Sequence, residues 1–295
     1  MTIGIPKSLV YFKRPIFWET FFENLGFKVI LSPKTNKEIV KIGVANSDSE
    51  NCFSFKVYFG HLIYLDKKCD LIFVPRLITN EEKLEYCPKF FGLPDLAKIL
   101  VKTPLLTLTL DERKESFEKS VFKLGKKLKK KKREIEKAFE KALFKEKILK
   151  ETKKKQFFEK ISSQKPKIVL ISHPYNFYDD YVNLNIKKRL EKMEVVPIFI
   201  EEVFKERPSN SSFPIKLHWE FAKEIIQKIE ILFQYQISGV IQISAFACGC
   251  DAFLKEIVER KIKEKKIPFL YLIFDEHTGE AGFQTRLEAF LDTLQ

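Results

Sequence analysis

The sequence has no run approaching the roughly 20 apolar residues that cross a bilayer. Even Val240–Ala247 is interrupted by polar residues and stops at Cys248, so no membrane-spanning helix is expected. The opening Met1-Thr-Ile-Gly-Ile-Pro6 reads as a strand with Lys7 and Lys13 close behind. It lacks the basic stretch followed by an apolar block that marks a secretory leader. Cysteine is scarce, at 5 in 295 residues. With no leader expected, a disulfide framework is disfavoured, a cytoplasmic setting is expected, and the thiols are free, buried or ligating. No Walker A sequence and no actin-like nucleotide signature occurs, so no nucleotide-binding motif is read in the chain itself.

What is abundant is positive charge, but its distribution narrows its meaning. The formal net charge is +13, and the stretch Lys119–Lys167 alone holds 20 Lys and Arg against 6 Glu, which leaves the rest of the chain nearly neutral. From about Arg113 to Glu159 the text is Lys, Glu, Leu, Phe and Ala with almost no Gly or Pro. Phe117, Val121, Leu124, Leu128, Ile135, Phe139, Leu143 and Ile148 keep a helix-compatible stripe. This predicts one long basic helical connector, or two helices, with Lys126–Arg133 as a solvated face. Nucleic-acid binding is the weaker reading, because a basic run without aromatic stacking partners or a recognised module carries little weight.

On either side of the connector, strand-like and helix-like text alternates. Thr2–Pro6, Phe27–Leu31, Leu71–Pro75 and Leu105–Leu110 are strand-like in the first part, and Phe17–Leu25, Ile39–Val44, Phe53–Leu65 and a helix opened by Leu93-Pro94-Asp95 lie between them. After Gln164-Lys165-Pro166 the pattern restarts. Ile168–Ser172, Val195–Ile200, Gly239–Phe246 and Pro268–Phe274 are separated by Ile186–Met193, Trp219–Phe233 and Phe253–Lys265. Such alternation predicts α/β architecture with two parallel sheets, each covered on both faces. The expected domains are 1–118 and 166–295, with the connector over 119–165. Ligands of open α/β sheets gather at the strand C-terminal ends.

Cys248, the loop after Phe274 and His173 fall at such ends, and Cys52 and Cys87 lie in loops after other elements. Cys52, Cys87 and the pair Cys248 and Cys250 each stand just ahead of an amphipathic segment. A helix N-terminus favours the thiolate, the form that binds soft metal or does redox work. The spacing by itself is weak evidence: no Cys-x-x-Cys pair is present, Cys248-Gly249-Cys250 is too tight for a zinc knuckle, and buried thiols that merely pack are the competing reading. Cys69, just before a strand, reads as packing. The loop Asp275-Glu276-His277-Thr278-Gly279-Glu280 follows a strand directly, which makes Glu276, His277 and Glu280 candidate catalytic or ligand-orienting groups. The competing reading is a capped helix start with Thr278 as N-cap. Arg286, in the following helix, is expected to tie that helix to the loop or to a nearby carboxylate. His173-Pro174-Tyr175-Asn176 has the same topological address, although a His beside Pro is more often a packed turn residue. His61 and His218-Trp219 read as structural.

Taken in order, these pieces resemble a known group. Ile3–Pro6 with Phe17-Trp18, Cys52 with Lys56-Val57 and Gly60-His61, Phe73–Arg76, Cys87-Pro88-Lys89 with Gly92–Asp95, His173–Asn176 with Asp179, Phe246–Gly249 with Asp251, and Asp275–Phe290 are together similar to the acyl-CoA dehydratase activase-related proteins, also called CoA protein activase. These are relatives of 2-hydroxyacyl-CoA dehydratase subunits and of double-cubane cluster proteins. The resemblance implies two Rossmann-like domains holding an iron–sulfur cluster, expected as [4Fe–4S], in the cleft between them through Cys52, Cys87 and Cys248. Cys250 stands where relatives commonly have Pro and leaves open which of the pair ligates. Ser54 replaces a usual Pro, and Lys7 a usual Arg. The group's chemistry is one-electron transfer of anaerobic metabolism, driven by an ATP-hydrolysing activase-type partner. The alternative is a non-catalytic cluster- or small-molecule-binding module that regulates or scaffolds such an ATPase. A homodimer is a candidate assembly, and no membrane partner is expected.

Overall fold

The computed structural model describes residues 1–79, 84–204 and 219–294. His218, expected to open a helix, lies outside them. The described residues form two four-stranded parallel sheets with eleven α-helices, in two compact units of Rossmann-like α/β type. One unit comprises Met1–Ser49, Phe55–Glu151 and Leu217–Glu220, and the other Glu50–Ser54, Thr152–Lys216 and Phe221–Gln295. Hydrogen bonds explain the short exchanged segments. Phe53 N–H donates to Phe246 C=O, and Glu220 N–H donates to Glu85 C=O.

The first sheet runs in the order β2-β1-β3-β4, from β1 (Thr2–Ile5), β2 (Lys28–Leu31), β3 (Leu71–Thr79) and β4 (Leu105–Asp111). Helices α1 (Pro15–Asn24), α2 (Lys37–Ala45), α3 (Phe53–Leu65) and α4 (Pro88–Leu100) make the crossovers that parallel pairing demands. Buried Phe17, Trp18, Phe21 and Phe22 turn one face of α1 into an aromatic layer, and Trp18 meets Phe73 of β3 at 4.7 Å between ring centres. Cys69 packs across Gly4, where a Cβ would meet its Sγ at 2.5 Å, and burial raises its thiol pKa. These facts match a packing role.

Two glycines let α2 and α3 touch backbone to backbone. A Cβ on Gly43 would lie 2.0 Å from the Lys56 carbonyl oxygen, and one on Gly60 would lie 2.0 Å from that of Ile39. Next to this contact His61 is wholly buried, with Nδ1 2.8 Å from Ser32 Oγ and Nε2 2.8 Å from Thr35 Oγ1. The imidazole therefore staples the loop after β2 to α3. Desolvation, with Lys7 adding repulsion, lowers its pKa to about 4.

The basic segment forms α5 (Phe117–Lys127) and α6 (Lys132–Ile161). Ser116 caps α5 by accepting from Lys119 N–H. Buried Ile135, Ala138, Phe139 and Ala142 give α6 its i, i+3, i+4, i+7 face, and Arg14 pairs with Glu146 while lying over the Phe17 and Phe117 rings. Lys126, Lys127, Lys129, Lys131, Lys132 and Arg133 are exposed; the run is solvated as expected, but its middle, residues 128–131, is the turn between α5 and α6 rather than a helix face.

The second sheet repeats the first in the order β6-β5-β7-β8, from β5 (Lys167–Ile171), β6 (Val196–Phe199), β7 (Gly239–Ala245) and β8 (Phe269–Phe274). Its helices are α7 (Pro174–Phe177), α8 (Ile186–Lys192), α9 (Glu220–Leu232), α10 (Gly249–Glu264) and α11 (Glu280–Asp292). Every residue of the central strand β7 is buried, as a strand covered on both faces requires.

Three outcomes are expected. Gly60→Ala should destabilise the protein by about 1–3 kcal/mol in denaturant titrations, because the clash is with backbone that cannot rotate away. Gly92→Ala, whose Cβ would meet only Leu96 Cδ1 at 4.0 Å, should be neutral or stabilising by up to about 1 kcal/mol. For His61, the folded state resists a proton that the unfolded chain accepts near pH 6.5, so its contribution is complete above that pH. It should be lost as pH falls toward about 4, at a cost of about 3 kcal/mol. Urea midpoints of His61→Asn should vary less across this window than those of the parent.

Candidate metal centre

In the second sheet the connections leave β5 and β7 in opposite directions, opening a crevice at their C-terminal ends where α/β proteins bind ligands. The loop after β5 starts with Ser172 and His173. The turn after β7 is Phe246, Ala247 and Cys248, with Ala247 at φ 61°. This left-handed residue reverses the chain sharply, so that Cys248 becomes the N-cap of α10 and Cys250 and Asp251 fall in its first turn. Asp251 also complements the positive end of that helix.

His173, Cys248 and Asp251 form a group that could hold a metal ion, their ligand atoms lying within 4.8 Å of one another. His173 Nε2 is 2.8 Å from Asp251 Oδ1, with both side chains nearly inaccessible. Ser244 Oγ donates to Asp251 Oδ2 at 3.0 Å. The imidazole is stacked on Tyr175 at 5.1 Å and meets the edge of Phe221 at 5.0 Å. Ring plane and ring rotation are thereby both fixed. Tyr271 of β8 faces the same group: burial raises its pKa, a hydrogen bond with Ser244 opposes the shift, and the charges of Asp251 and Cys248 add to it.

The Cys52 segment reaches this turn from elsewhere in the sequence. Phe53 N–H donates to Phe246 C=O at 3.2 Å, and Ser54 Oγ donates to Asn176 Oδ1. Asn176 Nδ2 in turn donates to Ser172 Oγ at 3.2 Å. Ser54 thus supplies a hydroxyl that anchors the start of α3 on the β5 loop. Cys52 immediately precedes α3 in the second unit, and Cys87 is the N-cap of α4 in the first.

The loop 275–280 follows β8, next to β7, and Phe246 N–H donates to Phe274 C=O at 2.7 Å. Within it Asp275 accepts from His277 N–H and from Thr278 Oγ1, and Thr278 Oγ1 accepts from Asp275 N–H. Thr278 closes the loop on itself, and Gly279 is the N-cap of α11, which corrects the expected Thr278 cap. Glu276 is half-buried, and His277 and Glu280 are exposed. Arg286 is exposed as well, and the tie expected of it is made by Arg189 of α8, which donates to Glu280 and to Gln284. Arg189 precedes this loop by some ninety residues, and nothing in the local pattern pointed to it.

One soft thiolate, one imidazole and one carboxylate in a largely buried setting suit iron or zinc rather than magnesium or calcium. The donors present therefore fit a thiolate-ligated metal group. Asp251 and Tyr271 were not read as site residues from sequence. The signal available for Asp251 was its place three residues after Cys248, in the first turn of the helix.

A family model described as CoA enzyme activase uncharacterised domain matches residues 2–204. The chain belongs to that family. The matched stretch holds Cys52, Cys87 and His173, while Cys248, Asp251 and the 275–280 loop lie beyond it. No curated protein matches the chain. A solved structure titled "Crystal structure of ZnuA" aligns over 100% of this chain and 98% of its own, at 12% identity and a TM-score of 0.30, a likeness too weak to bear on fold or function.

Removing the Ser54 hydroxyl leaves a buried amide oxygen without its donor. Ser54→Ala should therefore lose about 1–3 kcal/mol of stability, read by chemical denaturation. Unchanged stability would show that the hydroxyl anchors nothing.

Proposed function

We propose that this member of the CoA enzyme activase-related family is a cytoplasmic iron–sulfur redox protein that receives low-potential electrons singly from a separate ATP-hydrolysing activase-type partner. The observation carrying this reading is that the Cys52 segment is bonded to the turn presenting Cys248, beside a buried imidazole and carboxylate. In this reading Cys52, Cys87 and Cys248 are the thiolate ligands and Cys250 is the neighbouring thiol that does not ligate, since Cys248 is the one grouped with His173 and Asp251. A [4Fe–4S] cluster bound there would supply reversible one-electron chemistry at low potential.

The chain's own contribution is to hold donors of fixed geometry on rigid strand ends and to keep water from the imidazole–carboxylate pair. Glu276, His277 and Glu280, one strand along at β8, are the groups assigned to orient a ligand or tune the centre. Family membership supports the activase-type partner.

Protein purified without oxygen should contain iron and acid-labile sulfide in matching amounts, with the broad visible absorbance of thiolate-ligated clusters. Serine at Cys52, Cys87 or Cys248 should each strongly lower bound iron, and Cys69→Ser should leave it nearly unchanged. Equal loss at Cys69 would contradict the ligand assignment. Glu276→Ala and His277→Ala should keep most of the iron yet slow partner-dependent electron transfer; full activity in both would leave the loop as a helix start alone.

A further inference from the structure

We infer that His173 Nε2, Cys248 Sγ and Asp251 Oδ1 together hold a single divalent ion of the zinc type, with a fourth coordination position left open. The inference goes beyond the cluster reading, since it needs neither Cys52 nor Cys87 and shares with it only the thiolate of Cys248.

All three donors belong to the second unit. The loop leaving β5 gives the imidazole, and the start of α10 gives the thiol and the carboxylate, three positions apart and so on one side of the helix. Their ligand atoms lie within 4.8 Å of one another. Metal bonds of roughly 2.3 Å to sulfur and 2.0–2.1 Å to nitrogen and oxygen set tetrahedral ligand separations of about 3.3–3.6 Å. Nε2 and Oδ1, which are 2.8 Å apart across a proton, need to spread by about half an ångström, and the thiol needs to close by no more than roughly 1.3 Å. The ion takes the place of that proton, which leaves to solvent with the proton of the thiol.

Charge and access point the same way. A thiolate and a carboxylate carry two negative charges and a neutral imidazole none, so a divalent cation leaves the group neutral, as burial demands. The side chains of His173 and Asp251 are 4% and 2% exposed while Cys248 is half-buried, so an ion reaches the pair past the thiol. The donors are already aimed. Ser244 Oγ donates to Asp251 Oδ2 at 3.0 Å, which leaves Oδ1 turned to the imidazole, and Tyr175 and Phe221 hold the ring. Outer contacts of this kind orient the ligands of metal sites. Three protein ligands with an open fourth position is the composition of catalytic rather than structural zinc sites.

The test uses full-length protein stripped of metal with a chelator, kept without oxygen, and titrated with Co2+ and then Zn2+. The wild type should bind one equivalent of Co2+ with a thiolate charge-transfer band and the intense visible bands of four-coordinate cobalt, all displaced by Zn2+. X-ray absorption at the zinc edge should count a single sulfur among nitrogen and oxygen neighbours. Cys248→Ser should lose the charge-transfer band. His173→Gln and Asp251→Asn should each weaken Zn2+ binding at least about tenfold, whereas Cys52→Ser, Cys87→Ser and Cys250→Ser should bind it as the wild type does. A wild type that takes up no Co2+, or zinc bound by two or more sulfurs, would overturn the inference, and neither measurement depends on a variant folding. Wild-type affinity in His173→Gln or Asp251→Asn would overturn it as well. The two readings fail separately: absence of acid-labile sulfide after reconstitution with iron and sulfide sinks the cluster alone, and loss of Zn2+ binding in Cys52→Ser or Cys87→Ser sinks the three-ligand site alone.

Discussion

The site in the second unit depends on the buried hydrogen bond between His173 and Asp251. It joins the loop leaving β5 to the first turn of α10, the two segments that flank the point where strand connections diverge. Burying an imidazole and a carboxylate is costly unless each is paired. Ser244 gives the carboxylate a second donor, and the stack on Tyr175 and the edge of Phe221 hold the ring in place. The neighbouring strain at Ala247 is of the kind that persists where surrounding structure leaves no alternative. It lets Cys248 follow a buried strand directly and cap a helix, the location in which a thiol is both held and presented.

The two units are built by different means. In the first unit, glycine removes side chains so that α2 and α3 approach at backbone contact, and an uncharged His61 staples them to the sheet edge. In the second, asparagine and aspartate build the loop from β5 to α8. Asp179 accepts from Tyr181 and Val182 N–H, and Asn183 donates to Asn176 and Phe177 C=O. The asparagine and aspartate bonds satisfy backbone groups that would otherwise be buried unpaired.

Much of the architecture was legible because it follows from period. The apolar runs of β5 and β7 and the three-and-four spacing of α6 leave few alternatives to covered parallel sheets joined by helices. The excess charge in one segment identified a solvated basic stretch, although its middle is the turn between α5 and α6. Local chemistry was read less well where two side chains compete for one role. Thr278 looked like the cap of α11, yet its hydroxyl turns back to Asp275 and leaves the cap to Gly279. Arg286 looked like the tie of that helix because it lies on it, whereas Arg189 of α8 donates to Glu280 and Gln284.

The sequence by itself determined the two α/β repeats, the helical basic segment and the placement of cysteines ahead of helices, since each is a local pattern of polarity, propensity and punctuation. Only the tertiary structure decided that His173 belongs with Cys248 and Asp251, that Cys69 fills space over Gly4, and that the Cys52 segment bonds to the turn after β7. Strand order is the reason. Placing β5 beside β7 brings together loops some seventy residues apart, and no property of either loop alone records which neighbour the sheet will give it.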